Sequence, residues 1–154
     1  MTVYYQFRSL RGLIESVCDS LAWAGGLLHL PEVFRRADPL EALDHFIATF
    51  MRFWATNREV LRGTMTVLDP DIMAVLEQRS GWRRKGLQVL LERLVKQAGR
   101  PKPKEFDDVL DQLYMLTSFH TYDSLAGSRR STERVTRMVQ RLVRALIPDP
   151  RPTT

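Results

Sequence analysis

A single cysteine, Cys18, is all the chain has, so no internal disulfide can form. A free thiol of this kind fits a reducing compartment and a buried structural place. Metal-ligand and catalytic chemistry are also thinly supplied. The three histidines, His29, His45 and His120, stand far apart, and there is no H-E-x-x-H, paired C-x-x-C, G-x-S-x-G or phosphate-cradling glycine run. These absences argue against the common zinc, serine-nucleophile and nucleotide-binding chemistries. The expectation is a protein that is not an enzyme, with no metal and no cofactor. Asp107 and Asp111, one turn apart, read as helix-start and surface charges rather than as ligands. No stretch approaches the roughly 20 apolar residues of a membrane span; LLHLP at 27–31 is the nearest. No basic start leads into an apolar run, so no signal peptide is read. A cytoplasmic protein without a membrane partner is expected. Strict polar–apolar alternation and hairpin dipeptides are missing too, which removes the signals of a sheet.

What is present is helical period. Leu10, Leu13, Ile14, Val17, Cys18, Leu21 and Ala24 form one face of a helix, with Ser9 as its cap and Gly25-Gly26 as its end. DPLEA at 38–42 is a second start: Asp38 caps, Pro39 suits the first turn, and Glu41 has capping-box spacing. The apolar residues that follow, Leu40, Leu43, Phe46, Ile47, Phe50, Met51, Phe53 and Trp54, cover more than one face. That predicts a helix enclosed on several sides. Asn57 is read as the cap of a short helix running through Leu61 to Leu68. DPDIM at 69–73 opens a long helix whose middle is weakened by Gly81 and Gly86, where a bend or break is expected. Another helix is expected from Glu105 to about Ala126, ended by Gly127, and a last one capped by Ser131. Three prolines, Pro148, Pro150 and Pro152, keep the tail from being helical. The fold class is therefore all-α, a helical bundle of about six helices joined by short loops.

Charge is uneven. The net charge is +5 with a pI near 9.8, compatible with a nucleic-acid partner but weak as evidence for one. Nine basic residues fall in 79–104 against one acid, Glu92. Arg134, Arg137, Arg141 and Arg144 form a basic stripe beside the apolar Val135, Met138, Val139, Leu142 and Leu146 of the last helix. Such a stripe is more often a solvated flank than a DNA face. The aromatics Phe46, Phe50, Phe53, Trp54, Trp82, Tyr114, Phe119 and Tyr122 fall on three helices. They read either as core or as the wall of an apolar pocket between helices. His120, among Leu116, Phe119 and Tyr122, reads as a structural histidine.

The opening TVYYQF, followed by RSLRGLIESV, resembles the end of the DNA-binding unit of the tetracycline-repressor (TetR/AcrR) family of transcriptional regulators. That family's recognition helix ends in a pattern like T-[VL]-Y-Y-x-F, and F-x-S-K leads into the helix that joins a larger all-α domain. Thr2 to Phe7 match the first pattern; Phe7-Arg8-Ser9 match the second, with Leu10 in place of the usual lysine. LTSFHTYDSLAG at 116–127 is similar to a stretch of the family's next-to-last helix. The resemblance implies that Thr2 and Gln6 face DNA, that Tyr4 reaches a phosphate as a positioning contact, and that Val3 and Phe7 pack inward. It implies a homodimer through the last two helices, for which Leu116, Phe119, Val135, Met138, Leu142 and Leu146 are the candidates. It also implies a pocket for a small apolar or amphipathic ligand, with Phe50, Trp54, Met65, Tyr114 and His120 as candidates. The expected organisation is a recognition-helix remnant at 1–9, a ligand-binding and dimerisation domain at 10–147, and a disordered tail at 148–154.

A helix-turn-helix needs its first helices to aim the recognition helix, and six or seven residues cannot hold a helix alone. The expectation is thus an N-terminally truncated regulator, with Met1 an internal methionine, that meets operator DNA only if the missing helices are present. An in-frame stop codon directly upstream of Met1 would refute the misplaced start. The alternative is a standalone helical ligand-binding or dimerisation module that titrates full-length regulators.

Overall fold

Five helix starts are set by a side chain that takes up a free backbone N–H. In the computed structural model, which describes residues 9–66, 69–98 and 104–147, Ser9 Oγ accepts from Gly12 N at 3.0 Å and opens α1, Leu10–Ala24. Asp38 accepts from Leu40 N at 3.0 Å and opens α3, Pro39–Thr56. Asp69 accepts from Asp71 N and Ile72 N and opens α5, Pro70–Gln97. Ser131 accepts from Arg134 N and opens α8, Thr132–Leu146. Each is the capping chemistry of a short polar residue before an apolar run. Between them lie a 3-10 turn at Leu27–His29 with α2, Leu30–Phe34, and then α4, Arg58–Thr64. Two further helices are α6, Phe106–Leu116, and α7, Phe119–Ala126. The described residues form eight α-helices and no strand.

The bundle is built around α3, which touches α1, α2, α4, α5, α7 and α8. Its enclosure follows from its sequence: Ala42, Leu43, Phe46, Ile47, Phe50, Met51, Phe53 and Trp54 are all buried. Leu87, Leu90, Leu91 and Leu94 of α5, Phe106, Leu110 and Leu113 of α6, Phe119, Tyr122 and Ala126 of α7, and Val135, Val139 and Val143 of α8 join it in the core, with Val33 of α2 and Leu61 of α4. Peripheral α1 has no buried residue. It lies on α5 and α3, tied by Asp19 to Arg79 at 2.7 Å and by Asn57 Nδ2 donating to Leu21 O at 3.1 Å. Cys18 is half-buried there rather than enclosed; burial raises its thiol pKa while Arg79 opposes the shift.

Several expectations fail for local reasons. Glu41 leaves the capping box and pairs with Arg36 at 2.5 Å. Asn57 does not cap α4 with its side chain; the amide donates backward to Phe53 O and across to Leu21 O, closing α3 and holding α1. The helix α5 runs unbroken through Gly81 and Gly86. Gly86 is required there because a Cβ would meet Phe46 Cε2 at 2.9 Å and Phe34 Cζ at 3.2 Å; the glycine permits close packing of α5 on α3. The single helix expected from Glu105 to Ala126 is two, α6 and α7. Ser118 is extended, with ψ of 160°, and accepts from Thr121 N to start a new helix. Residues 1–8 and 148–154 lie outside the described residues, so Thr2, Tyr4, Gln6 and the tail are not placed.

Candidate functional site

The inner stripe of α5 runs through Val75, Arg83, Leu87, Leu90 and Leu94, all buried. Position 83 therefore falls where period 3.6 calls for an apolar residue, and an arginine occupies it, 6% exposed. Its guanidinium lies 4.2 Å from the ring centre of Tyr114, 5.8 Å from Trp54 and 6.0 Å from Phe50. Arg83 Nη1 donates to Tyr114 O at 2.7 Å and to Thr117 Oγ1 at 2.8 Å. These acceptors sit at the C-terminal end of α6, where the helix dipole is negative. Thr117 Oγ1 passes a hydrogen bond on to Leu113 O at 2.9 Å, and Trp54 Nε1 donates to Thr117 O at 2.9 Å. The α6–α7 break thus supplies two carbonyls and a hydroxyl to one aromatic wall, Trp54, and one cation, Arg83.

Neither hydrogen-bond partner of Arg83 is a carboxylate, and Arg83 Nε is buried without an acceptor. Burial pushes its pKa down to about 10, with Tyr114 opposing; the group stays charged at neutral pH. The cation and the rings of Phe50 and Trp54 are packed together in the interior, so the faces of those rings stand in for part of the water that the guanidinium has lost. Among the described residues no group of three or more His, Cys, Asp or Glu side chains is placed to hold a metal.

Of the five residues expected in a pocket, the structure gathers three around Arg83: Phe50 and Trp54 are buried and Tyr114 is half-buried. Phe119 joins them edge-on, its ring 5.8 Å from Trp54. Met65 and His120 are exposed. Met65 follows the last turn of α4, a helix with one buried residue, Leu61. His120 is one position past Phe119, about 100° around α7 from the buried side. Trp82, one residue before Arg83, points outward at 56% exposure, with Arg79 stacked on its ring at 4.7 Å. Sequence reading missed Arg83 and Thr117. Arg83 was counted within a basic run; the signal that could have found it is an arginine standing in register with a leucine stripe.

The residues expected at a dimer interface divide as well. Val135 and Phe119 are spent in the chain's own core, at 0% and 5% exposure. Leu116, Met138 and Leu146 are half-buried and Leu142 is exposed. Beside them the outward face of α8 carries Arg134, Arg137, Arg141 and Arg144, with Arg130 just before the helix, around an open groove of about 850 Å³. On the far side of α7, Asp123 ties α4 down. Burial alone would raise its carboxyl pKa, but hydrogen bonds from Arg58 at 2.6 Å and from Arg62 hold it below the ordinary value.

No helix among the described residues is long and apolar enough to cross a membrane. No protein-family model matches the chain, and no curated protein or solved structure matches it either.

Proposed function

We propose that this chain is the regulatory part of a ligand-responsive transcriptional regulator of the kind the TetR family represents. The observation that supports this reading best is α1. It is a 15-residue amphipathic helix with no buried residue, and it begins at Leu10, two residues beyond the end of the TVYYQF pattern. A helix that leaves so much apolar surface half-covered suits a connector between a DNA-reading element and a bundle. The bundle offers the cage of Phe50, Trp54 and Tyr114 around Arg83 as the place for a small apolar or amphipathic ligand. Recognition of operator DNA belongs, in this reading, to a protein that carries a complete helix-turn-helix. Ligand binding acts by favouring one arrangement of α1 over another, which requires different affinity for the two.

The test is hydrogen exchange on α1 with and without a compound selected for raising the melting temperature. The reading expects altered protection in residues 10–24 on binding, and loss of the thermal shift in Trp54→Leu. Binding that leaves α1 exchange unchanged would refute the connector role. The homodimer implied by the resemblance meets an electrostatic cost at α8: a two-fold contact sets the same patch against itself, and here that patch is a row of arginines.

A further inference from the structure

Helix α4 is lightly seated. One of its seven residues, Leu61, is buried, whereas half of α3 is. Glu59, Val60, Arg62 and Gly63 are exposed. It leaves α3 at Asn57, where φ of −106° and ψ of 14° end one helix before the next begins. Asn57 itself is buried and bonded to α3 and α1, so this joint belongs to the core.

Charge does most of the work of holding α4 down. Arg58 Nε donates to Asp123 Oδ1 at 2.6 Å, and its Nη2 donates to Gly127 O at 2.8 Å. Arg62 Nε donates to the same Asp123 Oδ1 at 3.1 Å. One carboxylate on α7 therefore grips both cations of α4. The side chains of Arg62 and Asp123 are 47% and 26% exposed, so water and salt reach the pair. Elements with few buried apolar contacts and solvent-reached ties open locally, below the free energy of global unfolding. Helix α2 is as short but differently held. Arg93 donates to the carbonyls of Phe34 and Arg36 at its end, and Phe34 packs edge-on against Phe46.

Beneath α4 lies the outer end of the aromatic interior. The Arg58 guanidinium is 5.9 Å from the ring centre of buried Tyr122. Phe119 is one turn back on α7, and its ring is 5.8 Å from Trp54. Trp54 in turn lies 5.8 Å from the Arg83 guanidinium. Those groups are packed together, so a molecule that reached them would need part of the cover to move.

We propose that α4 is a hinged strap over that end of the core. It opens at Asn57 as a unit while the other helices stay packed, and Asp123, by gripping Arg58 and Arg62, sets how often it opens. The opening is a property of the free chain; only its use, as the way in for a ligand, rests on the regulator reading.

Native-state amide exchange of the whole chain, followed residue by residue by NMR at neutral pH, tests this with no ligand present. It is measured for the native chain, Asp123→Asn and Arg62→Gln, at low salt and at about 0.5 M NaCl. In the native chain the amides of Leu61 to Met65 should be protected at least roughly tenfold less than those of Phe46 to Trp54 in α3. Asp123→Asn should speed the α4 amides by at least roughly fivefold, and Arg62→Gln by roughly two- to threefold. Salt should speed them as well, while amides of α3, α5 and α8 keep their rates. Arg62 is exposed, so Arg62→Gln keeps the fold and decides the matter if Asp123→Asn does not fold. Three results would overturn the strap: α4 protected as well as α3, α4 rates unchanged in the variants, or rates rising alike in α3, α4 and α5. Ligand binding that leaves α1 exchange unaltered would refute the connector role and leave this result standing.

Discussion

Arg83 and Arg137 place the same side chain in opposite surroundings. Arg83 lies on the inner stripe of α5, between aromatic rings and the end of α6, 6% exposed. Arg137 stands on the outer face of α8, in a row of its own kind beside open solvent. Taking a cation out of water costs several kcal/mol unless it is well compensated. Arg83 is held by a carbonyl, a hydroxyl and three ring faces, but by no bonded carboxylate. Arg137 has no such cost and contributes little to the fold. The difference teaches that an arginine's consequence follows from what its helix face meets. Where arginine sits in an apolar stripe, the fold must build acceptors for it. Where arginine forms its own stripe, most of it can stay in water and the fold need build nothing for it.

The largest effect should come from breaking the buried member. Arg83→Ala removes two charge-assisted hydrogen bonds and leaves a void beside Trp54 and Tyr114, and should cost about 2–4 kcal/mol in urea unfolding. Arg83→Met keeps the volume and relieves the desolvation, and should cost under about 1 kcal/mol or stabilise. Equal losses in both variants would mean that the charge itself, not the packing, holds the cage. Next comes the inner face of the same helix. Gly86→Ala drives a Cβ into Phe46 and should cost about 1–2 kcal/mol. At Gly81 a Cβ meets nothing within 4 Å, and Gly81→Ala should stabilise by up to about 1 kcal/mol. Thermal melts of the two variants, opposite in sign, check this.

A smaller effect concerns the ion cluster of Arg58, Arg62 and Asp123. The folded-state pKa of Asp123 is lowered, so its contribution is present above the unfolded value of about 4 and is lost as pH falls through the folded value. Stability measured from pH 6 down to pH 2.5 should therefore decline below about pH 4, and Asp123→Asn should flatten that limb. An unchanged acid limb in the variant would remove Asp123 from the account. Smallest of all, Arg137→Ala and Arg141→Ala should each leave stability within about 0.5 kcal/mol. A larger loss would make the α8 row part of what holds the fold together.

How much of this was legible in sequence depended on range. Ser9, Asp38, Asp69 and Ser131 were readable as caps because the cap and the N–H that it satisfies lie two or three residues apart. Enclosure of α3 was readable because its apolar residues go round the helix. The α6–α7 break was not, because the local pattern continues through Thr117 and Ser118. What stops the helix there is paid for by distant partners, Arg83 and Trp54, which take up the freed acceptors of Thr117. Asn57 was misassigned for the same reason: its local capping role lost to a carbonyl on α1, 36 residues away. In the candidate site, Phe50, Trp54 and Tyr114 were found as aromatics on neighbouring helices, while Met65 and His120 were drawn in by type and turned outward by register.

By itself the sequence determined the fold class, four of the five capped starts and the unbroken apolar faces, since propensity, capping and period act within a turn or two of chain. Tertiary structure alone decided that Gly86 is a packing glycine rather than a break, that Arg83 is a buried cation rather than one more charge in a basic run, and that Arg144 of α8 pairs with Asp44 while Arg134, Arg137 and Arg141 stay exposed. Each of those depends on which helix lies opposite. A side chain's solvation is set by neighbours that the chain brings together only after the helices have packed.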